Sequence, residues 1–258
     1  MPLEALIFDV DGTLAETEEL HRHAFNETFA AFGLGWIWPP DLYRHLLKVT
    51  GGKERIGHYV EVWQPQGGAT AVAQLAELHA DKSRRYTQFV AAGALAPRPG
   101  VLRLIQAARA ENVKLAIATT TDPANVEALL KASFAPDASS WFSVIGAGDV
   151  VPAKKPAPDI YRFVLDRLGC DASACIAFED SENGVRAARA AGLTVVATPS
   201  LYTDADDFSA ASAVLSDLGE ADARFRHLSG SKLNHGIVDL MELQYLLAQS
   251  DFADTGTP

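Results

Sequence analysis

Six apolar runs of strand length punctuate this chain: Leu6-Ile7-Phe8, Lys114 to Ala118, Phe142 to Ile145, Ala174 to Phe178, Thr194 to Ala197 and the short Ala213 to Leu215. Segments with apolar residues at helical spacing lie between them, among them Val101 to Glu111, Pro123 to Ser133 and a stretch closing on Leu168-Gly169. A chain in which strands and helices alternate has few ways to bury both faces of its strands. It predicts an α/β fold, a doubly wound parallel sheet with helices on both sides.

In a sheet of that kind the carboxyl ends of the strands share one edge, and ligands bind there. The residues at those ends are polar here. Asp9 and Asp11 follow the first run, two apart and therefore on one side of an extended chain. Gly12 permits a sharp turn away, and Thr13 offers a hydroxyl and an N–H. Thr119-Thr120-Thr121 follows the second run, Lys154-Lys155-Pro156 sits in the loop after the third, and Glu179-Asp180-Ser181 follows the fourth. Taken singly, each has a structural explanation as a turn, a solvated lysine pair or a helix cap. At successive strand ends they form a chemical set.

That set suits phosphoryl transfer to a carboxylate. An aspartate attacking a phosphate is an anion approaching an anion, so cationic charge must be held beside it. Mg²⁺ takes hard oxygen ligands such as Asp9, Glu179 and Asp180. Lys155 adds a second cation, Thr119 holds a phosphate oxygen, and the attacking carboxylate becomes an aspartyl-phosphate. A carboxylate two residues on can protonate the leaving oxygen and then activate water.

The alternation is interrupted once. From Ala15 to Ala91 every patterned segment is helical: Glu16 to Phe32, Trp36 to Lys48 and Ala71 to Val90, with Thr50-Gly51-Gly52-Lys53-Glu54-Arg55 read as a glycine turn presenting two cations. The expected organisation is a catalytic core from 1–14 and 92–258, with a helical cap domain, 15–91, inserted after the first strand. A helical stripe runs from Gly236 to Gln249, residues from about 224 to 258 form an extension without a place in this scheme, and Asp251 to Pro258 is expected to be disordered.

With 258 residues, 48% hydrophobic and 21% charged, the chain is long enough for a full core. Its net charge of -11 argues against a nucleic-acid or anionic-membrane partner, yet leaves room for an anionic small molecule in a locally basic cleft. Cys170 and Cys175 are too few for a disulfide framework, no apolar stretch has the length of a membrane span, and Met1-Pro2 leads directly into the first strand, so a cytoplasmic location is expected.

Phe8-Asp9-Val10-Asp11-Gly12-Thr13-Leu14, the strand end at Thr119, Lys155-Pro156-Ala157-Pro158-Asp159 and Phe178-Glu179-Asp180-Ser181 resemble the four motifs of the haloacid dehalogenase superfamily of phosphotransferases. The resemblance covers the chain to about Asp217. It implies that Asp9 is the nucleophile and Asp11 the general acid/base, that Thr119 and Lys155 bind the transferring phosphoryl group, and that Asp9, the Asp11 main-chain carbonyl, Glu179 and Asp180 arrange Mg²⁺.

The stretches Ala15 to His21, Phe25 to Phe29, Thr50 to Arg55 and Thr119-Thr120-Thr121 are similar to those of CbbY-type phosphatases of the Calvin cycle. That group is associated with removing the 1-phosphate of xylulose-1,5-bisphosphate, a Rubisco inhibitor, to give xylulose-5-phosphate. The implied link to Rubisco is functional, without physical binding. A substrate with two phosphates needs a second anion site. Gly51 and Gly52 amides with Lys53 and Arg55, aided by His79 and Lys82, are expected to form it. Glu18 is expected on the sugar hydroxyls, with Glu54, Thr120, Thr121 and Asn125 completing the substrate contacts.

Two other readings share parts of the pattern. A β-phosphoglucomutase-like isomerase has the same core motifs and cap type and differs in returning the phosphoryl group to sugar. A non-catalytic phospho-accepting domain combines an acidic cluster, a Thr or Ser strand end and a lysine, but carries no helical cap after its first strand.

Overall fold

The computed structural model describes residues 2–93 and 95–254. Among them the sheet has seven strands in the order β3-β2-β1-β4-β5-β6-β7: Val144–Gly146, Lys114–Ala118, Ala5–Phe8, Cys175–Glu179, Thr194–Ala197, Ala213–Leu215 and His227–Gly230. Strands β1 to β6 pair in parallel, and β7 closes one edge antiparallel to β6. The doubly wound α/β sheet is therefore as expected, with an antiparallel edge strand added.

Strand β1 lies in the middle, where Phe8 is level with Ile117 of β2 and Phe178 of β4. Its alternate residues enter opposite layers. Leu6 and Phe8 join the apolar cluster that includes Val101, Leu104 and Leu129, whereas Ala5 and Ile7 join one with Ile160, Val164 and Val185. Both faces are buried, which is why β1 reads as an unbroken apolar run.

Five helices fill the interval after β1: α1 Glu18–Ala31, α2 Pro40–Leu46, α3 Gly52–Trp63, α4 Gly68–Ala73 and α5 Leu75–Ala92. They enclose a separate, aromatic cluster of Phe25, Phe29, Trp36, Trp38, Tyr43 and Tyr59 among others. The chain leaves and returns at one place, since Ala15 makes a bridge with Pro97 and the Arg98 N–H donates to Leu14 O at 2.9 Å. The remaining helices are α6 Val101–Ala110, α7 Pro123–Ser133, α8 Asp159–Leu168, α9 Glu182–Ala190 and α10 Leu240–Asp254. No helix among the described residues is long and apolar enough to cross a membrane.

Several sequence expectations need correction. The segment after Gly51 is not an open turn but the start of α3, with Gly51 (φ 99°) as its cap. The predicted helix from Ala71 to Val90 is two helices divided at Gln74. Trp36 and Trp38 precede α2 instead of lying on it, because Pro39-Pro40 sets the first turn. Helix α10 continues to Asp254 within the stretch expected to be disordered, and residues 255–258 lie outside the described residues. Strand β7 has an exposed face and no apolar run, so hydrophobic patterning does not reveal it.

Candidate active site

The carboxyl ends of β1, β2 and β4 meet below α1 to α3 and enclose a cavity of about 350 Å³. Of the residues expected in the site, Asp9, Asp11, Glu18, Gly51, Gly52, Arg55, His79, Lys82, Thr119, Thr120, Thr121, Asn125, Lys155 and Asp180 line it. Glu179 is fully buried directly behind.

Lys155 Nζ donates to Asp9 Oδ1 and Glu179 Oε1, both at 2.6 Å, and to Ala118 O at 2.9 Å, which uses all three of its hydrogens. Tyr161 also donates its hydroxyl to Glu179 Oε1. Oxygens of Asp9, Glu179 and Asp180 lie within 4.8 Å of one another. One ammonium does not balance three buried carboxylates. Burial pushes Asp9 up to about 8 against the pull of Lys155, and burial with Asp9 and Glu179 nearby raises Asp180 well above the carboxylate range. Burial disfavours a charged Lys155, but these carboxylates raise it above the ordinary lysine value.

Two features bear on whether these residues could hold a cation. Glu179 Oε2 is buried without a hydrogen-bond partner. Two glycines leave space for the carboxylates: a Cβ on Gly12 would lie 2.2 Å from Asp180 Oδ2, and one on Gly184 would lie 1.9 Å from Glu179 Oε2. A hard divalent ion fits this all-oxygen donor set.

Asp11, two residues from Asp9, sits in a different environment. Thr17 donates to its Oδ1 at 2.5 Å, Thr121 donates to Oδ2, and His21 Nε2 is 2.9 Å from Oδ1. Lys82 Nζ lies 2.6 Å from His21 Nδ1 and donates to it, so His21 carries its proton on Nε2, toward Asp11. The imidazole is stacked on Tyr86 at 3.9 Å between centroids. Burial opposes the Asp11 charge, yet His21 and the two hydroxyls hold the carboxyl well below its usual range. Burial brings Lys82 down to about 8.

Helix starts complete the floor. Asp122 accepts from the Ala124 N–H at the N-terminus of α7, and Ser181 accepts from the Gly184 N–H at that of α9. Thr119 Oγ1 accepts from the Thr121 N–H, which leaves its own hydroxyl hydrogen to donate. Asn125 accepts from Thr87 of α5 at 3.0 Å.

The helical wall departs from expectation. Lys53 does not line this cavity. It pairs at 2.8 Å with Asp149, beside a smaller cavity of about 70 Å³ that Glu54 also lines. Helix formation from Gly52 turns both side chains away from the larger space. Arg55 is buried, donating to Tyr43 OH at 3.2 Å and Leu46 O at 3.3 Å, while Tyr43 donates to Glu18 at 2.8 Å. Burial, with Lys82 and Lys53 nearby, brings His79 down to about 4.

Sequence reasoning missed Thr17, His21, Arg44, Lys48 and Asn183. Thr17 is the N-cap of α1 with His21 one turn further on, and Arg44 lies in the last turn of α2 with Lys48 just past its end, so a four-residue spacing brings each pair to the same side. Arg44 and Lys48 line the cavity wall, where Arg44 also bonds Asp204 and Leu201 O. Asn183 Nδ2 donates to Lys48 O at 2.9 Å and to Thr50 Oγ1 at 3.1 Å, tying α9 to the helical wall.

The sequence model of haloacid dehalogenase-like hydrolases matches residues 3–192. Protein CbbY of Rhodobacter capsulatus is 55% identical over 221 residues, 86% of this chain and 96% of that protein. The crystal structure of a mutant CbbY from Rhodobacter sphaeroides, in complex with xylulose-(1,5)bisphosphate, has a TM-score of 0.81 at 46% identity, over 85% of this chain and 98% of its own. A β-phosphoglucomutase from Clostridium difficile, 18% identical with a TM-score of 0.74 over 97% and 99% of the chains, shares the fold. With the motifs assembled at one sheet edge, these likenesses establish that the chain belongs to the haloacid dehalogenase-like hydrolases and is a phosphatase of the CbbY type.

Proposed function

We propose that this enzyme hydrolyses the 1-phosphate of xylulose-1,5-bisphosphate to xylulose-5-phosphate, with Mg²⁺ held by Asp9, the Asp11 main-chain carbonyl, Glu179 and Asp180. The observation that carries the reading is a cavity with two chemically different ends. One end has the carboxylate cluster, Lys155 and Thr119. The other has Arg44, Lys48 and the N-terminus of α3 at Gly51-Gly52, donors suited to a second phosphate, with Glu182 and Asp206 also in the lining and Arg44 paired with Asp204. The likeness to a protein crystallised with that bisphosphate supports the choice of substrate.

Bound in the cluster, Mg²⁺ would offset charge on the phosphoryl oxygens. Asp9 attacks phosphorus as the bond to the sugar oxygen breaks, and the phosphoryl group passes to its carboxylate. Lys155 and the Thr119 hydroxyl hold the transferring oxygens. Asp11 gives a proton to the departing sugar oxygen, then takes one from the water that attacks phosphorus, which frees phosphate and Asp9. As it stands, Asp11 is held ionised by Thr17, His21 and Thr121, ready to act as a base. To serve as an acid it must first take up a proton and exchange part of that network for the sugar oxygen. Glu18, fixed by Tyr43 and through it by Arg55, faces the sugar hydroxyls. Residues 15–91 act as the cap over this site.

The test is steady-state phosphate release with Mg²⁺ on xylulose-1,5-bisphosphate, ribulose-1,5-bisphosphate, fructose-1,6-bisphosphate and β-glucose-1-phosphate. The reading expects a preference of roughly 100-fold or more in kcat/KM for the first. A flat profile, or conversion of β-glucose-1-phosphate to glucose-6-phosphate, overturns it.

A further inference from the structure

Arg98 stands where the chain returns from the helical insertion, and its side chain is only 9% exposed. Its guanidinium gathers four separate segments. Nη1 donates to Gly12 O and to Thr198 O (2.7 Å), Nη2 donates to Pro199 O at 2.8 Å and approaches Ser216 O at 3.3 Å, and Nε lies 3.2 Å from Glu16 Oε1. A planar fork of five N–H groups can serve so many acceptors at once, and an ammonium cannot.

Two of those segments form the walls around Asp180. On one side is the Gly12 turn, close enough that a Cβ there would collide with Asp180 Oδ2. On the other is the loop after Pro199. There the Ser200 N–H donates to Thr203 Oγ1 at 2.9 Å, and the Thr203 hydroxyl reaches Asp180 O at 2.5 Å and lies 3.3 Å from Oδ2. The Gly12 peptide also directly follows Asp11, whose carbonyl belongs to the proposed metal site.

We propose that Arg98 is a positioning residue for the metal pocket: by fixing the Gly12 turn against the loop after Pro199, it sets the placement of Asp180 and the Asp11 carbonyl. The inference rests on the metal site proposed above. Arg98 touches neither substrate nor metal, and its effect passes through those two backbone segments.

A second arginine supplies the control. Arg103 makes the same kind of bonds, from Nη1 to Val238 O at 3.0 Å and from Nη2 to Leu218 O and Gly219 O at 3.0 and 2.8 Å, but these join α6 to the C-terminal segment. Arg98→Lys, Arg98→Gln and Arg103→Lys are compared by thermal unfolding and by calorimetric titration with Mg²⁺ alone. Variants at both positions are expected to melt earlier, and a folded Arg98 variant to bind Mg²⁺ at least about tenfold more weakly. Arg103→Lys should stay within about twofold of the wild type. Wild-type Mg²⁺ affinity in a folded Arg98 variant, equal weakening in Arg103→Lys, or failure of both Arg98 variants to fold would overturn the proposal. Asp180→Asn separates the two levels. If it retains Mg²⁺ binding, the metal site itself is wrong; if it loses binding while folded Arg98 variants keep theirs, only the role of Arg98 is wrong.

Discussion

Asp9 and Asp11 leave the same strand two residues apart, both nearly enclosed, and their surroundings drive them in opposite directions. Around Asp9 the core has placed two more carboxylates and a single lysine, and burial raises it. Around Asp11 the helical insertion has placed a hydroxyl from Thr17 and the imidazole of His21, with Lys82 behind it, and Thr121 adds a second hydroxyl from the core. Burial alone does not decide what a carboxylate does; its partners do. On the proposed roles, the nucleophile's side is the one a bound cation would complete, whereas the acid/base side has its charge met by its own neighbours.

Substitution should divide the two most sharply. Asp9→Asn is expected to lower turnover by at least about 10⁴-fold and to leave no phosphorylated protein. Asp11→Asn should cost roughly 10² to 10⁴-fold, but with an aryl phosphate, whose leaving group needs no acid, it should accumulate phosphoprotein. Intact-mass measurement after rapid mixing distinguishes them. If neither variant traps phosphate, the division of roles fails.

A smaller effect is expected from the cations of the helical wall. Arg44→Ala should raise KM for the bisphosphate by about 10 to 100-fold while sparing small phosphate esters, because only the larger substrate reaches that end of the cavity. Equal losses on both substrates would remove Arg44 from recognition.

Lys82 offers a test in stability. Burial lowers its folded value to about 8 from an unfolded value of 10.5, so between these limits the unfolded chain binds more protons. Stability therefore rises with pH through that window, by up to about 3 kcal/mol. Lys82→Met should lack this rise in urea unfolding series run from about pH 7.5 to about pH 10.5. An identical rise in both proteins would show that Lys82 is not held as described.

The least effect belongs to Lys53→Ala. Lys53 is paired with Asp149 at a half-exposed position, where such bonds contribute little. Its bisphosphate KM should change less than about threefold. A loss as large as that of Arg44→Ala would restore Lys53 to the substrate site.

The sheet and its chemical edge were legible because β1, β2 and β4 are apolar runs and their ends carry the groups that meet in space. Lys155 and Glu179 are distant in sequence yet share a hydrogen bond, and their order along a parallel sheet was enough to bring them together. The helical wall was harder to read. Whether Lys53 or Arg44 faces the cavity depends on the phase of α3 and α2, and a helix beginning one residue earlier turns every side chain by about 100°. Gly51-Gly52 suggests a loop, yet Gly52 begins a helix of twelve residues. Strand β7 was illegible because an exposed edge strand has no hydrophobic period to detect.

The junction at Ala15 and Pro97 has a further meaning for how such a chain can vary. From the sheet's side, everything between those residues is a loop whose ends are already joined. Closure entropy rises only with the logarithm of loop length, about 0.6 kcal/mol for each doubling. Lengthening, trimming or replacing the helical excursion therefore burdens the sheet far less than altering one of its strands. Through that inexpensive opening, the sheet edge can keep one reaction while the chain spliced into it changes which molecules arrive.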